Sequence, residues 1–227
     1  MSDIERYLRC TGVIDCDSPA IQEKAVAITS GLYTDKEKAI ALFYFVRDEI
    51  RHNPYAPAYV PEYCKASVIL REGNGICQHK AVLLTALARA VGIPARIGFV
   101  DVYDHLLSDS FREMAGGTNL LSLHGYAELY VNGKWLHVSP SYNLEKCQKC
   151  GFIPVEFDGE NDAKDSLYDQ NGRPHVEHVK DHGTFDDFPW DYVLGYIREF
   201  VARMGQDFDE LMEIGQRIRE DKFLGNS

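Results

Sequence analysis

No apolar run in this chain approaches the roughly 20 residues that a membrane-spanning helix requires. Positive charge is also short: 24 Lys and Arg stand against 35 Asp and Glu, a formal net charge of −11. That balance argues against a general nucleic-acid binder, whose binding face is usually basic. Cysteine is sparse for the length, six in 227 residues, so there is no dense disulfide framework. The first residues, MSDIERYLRC, lack the apolar core of a secretory signal. A cytoplasmic location is therefore expected, with most of the thiols reduced and one of them available as a nucleophile. Internal repeats and low-complexity linkers are absent. With 45% hydrophobic residues the chain can bury a sizeable core, and one domain over 1–227 is expected.

Helical signals are strong in the first half. Ile21, Ala25 and Ile28 recur on one face of a segment from Ser18 to Gly31. Thr34-Asp-Lys-Glu37 is a capping-box pattern opening a second helix, whose Ala39, Leu42, Phe43, Phe45 and Val46 form a broad apolar face. The proline-rich stretch HNPYAPAYVPEYC must be a loop or irregular strand. ASVILRE reads as a short helix ending at Gly73-Asn74-Gly75. The next helix has Leu84, Leu87, Ala88 and Val91 at amphipathic spacing and stops at Gly92 and Pro94. ARIGFVDVYD alternates like a strand, and 107–119 reads as irregular or partly helical. Residues 157–187 are acidic and turn-rich, which suggests a long surface excursion. After Pro189, one helix carries Trp190, Val193, Leu194, Ile197, Phe200, Val201 and Met204 on one face, and another is expected over 207–223.

Two features carry chemistry. Cys77 stands at the first turn of its helix, where the dipole lowers a thiol pKa and free amides can hold an oxyanion. The second is a hairpin, SLHGYAELYV and KWLHVS flanking Asn132-Gly133, the strongest short hairpin signal. A two-residue turn sets Val131 against Lys134, Glu128 against His137, Tyr126 against Ser139 and His124 against Ser141. One face then holds Leu123, Ala127, Leu129, Val131, Leu136 and Val138, a core face. The other holds His124, Tyr126, Glu128, Tyr130, Trp135, His137, Ser139 and Ser141. That face is either a site wall or, the commoner fate of a polar strand face, solvent-facing. Glu128 and His137 would make a cross-strand pair.

The remaining motifs are weaker. Cys147-Gln-Lys-Cys150 could join His175, His178 and His182 in a zinc site, but a second pair at zinc spacing is missing, and reduced thiols are expected instead. Cys64 could lie near Cys77 and pair with it on oxidation. Cys10 and Cys16 read as local packing or surface groups, and Gly73 and Gly75 as turn residues.

The segment ASVILREGNGICQHKAVLLTALARAVGIPAR resembles the catalytic-cysteine segment of the transglutaminase-like superfamily, and HGYAELYVNGKWLHVSPSYN resembles its histidine hairpin. The resemblance covers about 37–143. The rest, 144–227, including PVEFDGEND and VKDHGTF, is similar to the extension of a prokaryotic subgroup described as candidate cysteine proteases. It implies an α+β fold with a papain/transglutaminase-like core, the cysteine helix packed on an antiparallel sheet. It also implies Cys77 as nucleophile and His124 as base and acid. The third residue, usually an aspartate, falls at Ser139, which can orient an imidazole but supplies no charge. Asn143, Asp158 and Asp181 are the other candidates for that place. The implied function is peptide or isopeptide hydrolysis, or acyl transfer, through a thioester, needing no metal or organic cofactor. The partner would be a peptide or protein amide, with no nucleic acid and no membrane. The alternative is a domain of this kind kept as a binding or scaffold module.

Overall fold

The computed structural model describes residues 4–54, 56–57, 60–109, 112, 117–203, 205, 207–210 and 213. The chain divides into two compact units, 1–188 and 189–227. The second contains helix Trp190–Arg203, whose buried Val193, Ile197 and Val201 recur every fourth position. The helix expected over 207–223 falls largely outside the described residues, as does part of 107–119.

In the first unit, Pro19 opens α1 (Pro19–Thr29), which buries Ile21 and Ala25. The expected capping box opens α2 (Asp35–Glu49): Thr34 Oγ1 accepts from the Glu37 amide at 3.2 Å and the Glu37 carboxylate accepts from the Thr34 amide at 2.9 Å. Helix α3 (Ala66–Glu72) ends at Gly73, in the left-handed region at φ 63°. The next two residues form β2 (Asn74–Gly75), paired in parallel with β1 (Arg51–His52). This short pairing carries the chain, extended, to the start of α4 (Cys77–Ala90). Helix α4 is buried from Gln78 to Arg89. An expectation of one amphipathic face understates it, because this is the central helix and polar Gln78, His79, Lys80 and Arg89 lie inside with the leucines. Arg89 donates to the carbonyls of Ala95, Arg9 and Asp186 and so ties three segments to the end of the helix.

The sheet has the order β5-β4-β3-β6, all antiparallel, from β3 (Ala95–Asp104), β4 (Leu120–Val131), β5 (Lys134–Val138) and β6 (Val176–Phe185). Asn132 and Gly133 both have positive φ, 51° and 85°, as a tight two-residue hairpin turn needs. The register runs as read from the turn, from Val131 opposite Lys134 to Ala127 opposite Val138. There the ladder stops short of Tyr126 and Ser139. Ser139 N donates instead to Ala163 O at 2.8 Å, and Ala163 N to His137 O at 2.7 Å. The core face of the hairpin is as expected, with Leu123, Ala127, Leu129, Val131, Leu136 and Val138 all buried.

Three expectations need correction. Residues 157–187 are not a surface excursion: they include the edge strand β6. Its residues 177–181 are exposed, so it shows no apolar alternation, as suits a charged edge that resists further pairing. Cys10 and Cys16 are neither loose surface groups nor free thiols but a disulfide, with α-carbons 5.1 Å apart. The turn between them closes through Thr11 N to Ile14 O at 3.0 Å. Free thiols remain at Cys64, Cys77, Cys147 and Cys150. Glu128 lies opposite His137, but its carboxylate accepts from Arg96 Nε at 2.6 Å, while the His137 ring stacks on Tyr126 at 3.7 Å.

Candidate active site

The site forms where β4 presses on the first turn of α4. Gly125 makes that approach possible: a Cβ there would lie 2.6 Å from the Gln78 α-carbon, a backbone atom that cannot yield. Without it, the Gly125 amide donates to Cys77 Sγ at 3.4 Å. Just before it, Leu123 holds φ 56°, a conformation rare for a branched side chain and costing on the order of 1–3 kcal/mol. Two bonds hold it: Leu123 N donates to Asp101 Oδ1 at 3.0 Å, and Gln78 Nε2 donates to Leu123 O at 2.8 Å. The kink sets the direction of His124, the next residue.

His124 is buried, and its Nε2 lies 3.2 Å from Asp165 Oδ2 and 3.1 Å from Ser141 Oγ. That leaves Nδ1 on the side of Cys77, whose thiol feels the charge of the imidazole. Asp165 is as buried as His124, with 3% of its side chain exposed. Burial raises its carboxyl pKa. The His124 hydrogen bond and charge, together with the Ser139 hydroxyl, outweigh that and bring it down to about 2. Burial alone would lower the His124 pKa, but Cys77 and Asp165 raise it well above the usual imidazole value. Burial alone would raise the Cys77 thiol, and here His124, with the Gly125 and Gln78 amides, prevails and lowers it. The three groups thus favour a thiolate, an imidazolium and a carboxylate in line.

The carboxylate is not where the hairpin puts it. Ser139 Oγ donates to Asp165 Oδ2 at 2.5 Å and sits 3.1 Å from Ser141 Oγ; Ser141, not Ser139, bonds the ring. Ser139 leaves the ladder at the end of β5 and pairs with Ala163, which brings Asp165 in from 26 residues downstream. The other candidates are engaged elsewhere. Asp158 caps an exposed turn, accepting from Glu160 and Asn161 amides at 2.8 Å. Asp181 accepts from the Gly183 amide at 2.7 Å. Asn143 Oδ1 accepts from His52 N at 3.3 Å. The sequence signals only that this segment docks, not that Asp165 meets His124: Val155, Phe157 and Ala163 are apolar residues within the polar stretch, and all three are buried.

Two other thiols, Cys64 and Cys147, are unlike Cys77. Burial pushes Cys64 up to about 12, and its sulfur lies 3.7 Å from His79 Nε2. Burial likewise pushes Cys147 up to about 11. His175 stacks on Phe152 at 4.0 Å, His178 faces His137 at 5.9 Å, and His182 Nε2 lies 2.8 Å from Asp101. These three do not gather on the Cys147–Cys150 pair, and no group of three or more potential ligands is placed to hold a metal among the described residues.

No curated protein matches the chain. Among solved structures, a candidate cysteine protease of Cytophaga hutchinsonii is 19% identical, covering 83% of this chain and 58% of its own, with a TM-score of 0.49. A candidate protease of Parabacteroides distasonis is also 19% identical, covering 61% and 25%, with a TM-score of 0.40. The periplasmic domain of TgpA from Pseudomonas aeruginosa is 22% identical, covering 54% and 42%, with a TM-score of 0.38. The chain thus spans less than two thirds of each of these proteins. The transglutaminase-like superfamily pattern matches residues 22–140, from α1 through the histidine hairpin. With more than half of its length matched in this way, the chain belongs to the transglutaminase-like superfamily.

Proposed function

We propose that the protein carries out thiol-dependent amide chemistry, either hydrolysis of a peptide or isopeptide bond or acyl transfer to an amine. The observation that carries this reading is the buried carboxylate on the ring of His124, next to a thiol whose pKa is lowered. Without that carboxylate, a neutral Ser139 at the third position would favour a domain that binds without turnover. A carboxylate on the ring, as Asp165 supplies, supports turnover over that alternative.

In the proposed reaction the Cys77 thiolate attacks the amide carbonyl and forms a C–S bond, moving the carbonyl electrons onto oxygen. Amides at the start of α4 would stabilise that oxyanion. The intermediate collapses, the C–N bond breaks, and the His124 imidazolium gives its proton to the leaving amine, leaving a thioester. Neutral His124 then takes a proton from water or a second amine as that nucleophile attacks. The product acid or new amide departs, and thiolate and imidazolium are restored. Asp165 holds the ring and offsets its charge throughout.

The test is competitive alkylation of the native protein with iodoacetamide at mildly acidic pH, mapped by mass spectrometry. Cys77 should be modified ahead of Cys64, Cys147 and Cys150. Uniform labelling, or Cys64 reacting first, would sink the proposal.

A further inference from the structure

Lys80 is among the largest side chains with no solvent exposure at all. An ammonium in that position is costly and needs a reason. Its Nζ donates to the Arg47 carbonyl at 2.9 Å, in the last turn of α2, where unpaired carbonyls and the negative end of the helix dipole favour a cation. The charged and titratable groups around it are Asp48 and Arg47 of α2, Cys147 of the helix Leu144–Cys150, His52 of β1 and Cys77 of its own helix. Asp48 is engaged by others: it pairs with the Arg47 guanidinium at 2.7 Å and accepts from the Leu144 amide at 3.0 Å. Among the described residues, no carboxylate lies within ion-pair distance of Lys80.

Cys77 is three residues earlier on α4. Positions three apart share a helix face, about 5–6 Å between β-carbons, and helical side chains lean towards the N-terminus. Lys80 therefore shares a helix face with Cys77, and its ammonium, held on the Arg47 carbonyl, carries a charge that the thiol feels. We infer that Lys80 is a positioning residue of the thiol site, a buried ammonium behind the first turn of α4 that favours the anionic form of Cys77. The inference rests on the reading of Cys77 as a nucleophile.

Two shifts agree with it. Burial lowers the Lys80 pKa to about 7, against the pull of Asp48, Cys147 and Cys77. Support for the thiolate is then present below about pH 7 and is withdrawn as pH rises through that value. Burial, followed by the Lys80 charge, lowers His52 to about 3. That ring stays neutral and does not compete with His124 as the cation of the site.

The test is the rate of Cys77 alkylation against pH for wild type, Lys80→Gln and Lys80→Met. In both variants the acid limb should move up by about half to one pH unit, so that labelling on that limb is about three- to tenfold slower. The alkaline plateau should stay. An unchanged limb in folded variants overturns the inference. A second measurement needs no Lys80 variant: the Lys80 Cε resonance is titrated by NMR in wild type and in Cys77→Ala. Linkage requires that loss of the thiolate lower the Lys80 midpoint by the same amount, and an equal midpoint in the two proteins contradicts it. If wild-type Cys77 is not preferentially alkylated, the nucleophile reading fails, and the NMR comparison still decides whether Lys80 and Cys77 are coupled.

Discussion

The hairpin 120–138 and the segment 139–185 both supply the site, and they do so by different physics. In the hairpin, position follows from local pattern: a turn that demands positive φ sets the register, and register sets the face of every side chain. In the later segment, position follows from docking. Asp165 reaches His124 only because Ala163 pairs alongside the end of β5 and Ser139 turns its hydroxyl to the carboxylate. A local signal places the imidazole, and a long-range one places its counter-charge.

Separating the two contributions should show the largest effect at the docked residue. Asp165→Asn keeps the shape and removes the charge. The His124 pKa should fall and the Cys77 pKa rise, so alkylation of Cys77 at mildly acidic pH should slow by about 10- to 100-fold. An unchanged rate would mean that the hairpin alone makes the thiol reactive. Next comes the contact that joins hairpin to helix. Gly125→Ala puts a carbon against the Gln78 backbone and should cost about 1–3 kcal/mol in denaturant unfolding, with loss of the preferential labelling of Cys77. A variant as stable and as reactive as wild type would show that the close approach is dispensable.

Ser139 sharpens the comparison at its boundary. Ser139→Ala removes one hydrogen bond to Asp165 and should slow Cys77 labelling by about two- to tenfold. Ser139→Asp should slow it too, because it sets a second carboxylate against Asp165. Faster labelling in Ser139→Asp would mean that Asp165 does not serve the ring. The smallest effect concerns the N-terminal turn, remote from the site chemistry. Thiol counting in denaturant should find four reactive thiols without reductant and two more after reduction of Cys10–Cys16. Six without reductant would contradict the disulfide.

Much of this was legible. Capping residues, the Asn-Gly turn and the Gly73–Gly75 approach to α4 are local signals; the helix-start position of Cys77, the strand position of His124 and the core face of the hairpin follow from them, whereas the joining of Cys77 with His124 in one site is what the family resemblance implies. Asp165 was not legible, because nothing near it in sequence states its partner; Ser139, one residue past the paired end of β5, fills the expected place without filling the role. Strand β6 was hidden for a related reason. As an exposed edge its outward residues are mostly polar, so its pairing with β3 is written in the β3 backbone rather than in its own periodicity. The disulfide is not legible because the six-residue spacing of Cys10 and Cys16 does not show the turn, closed by Thr11 N and Ile14 O, that brings them together.

Cys77, His124 and Asp165 are proposed to form one coupled charge system. Ultraviolet absorbance of the thiolate, followed against pH in wild type and His124→Ala, tests it most directly. In wild type, one thiol should ionise below the ordinary range near pH 8.5, and the His124→Ala protein should lose that early step. A wild-type protein in which no thiolate forms before the ordinary range, or in which the early step survives the loss of His124, would contradict the account.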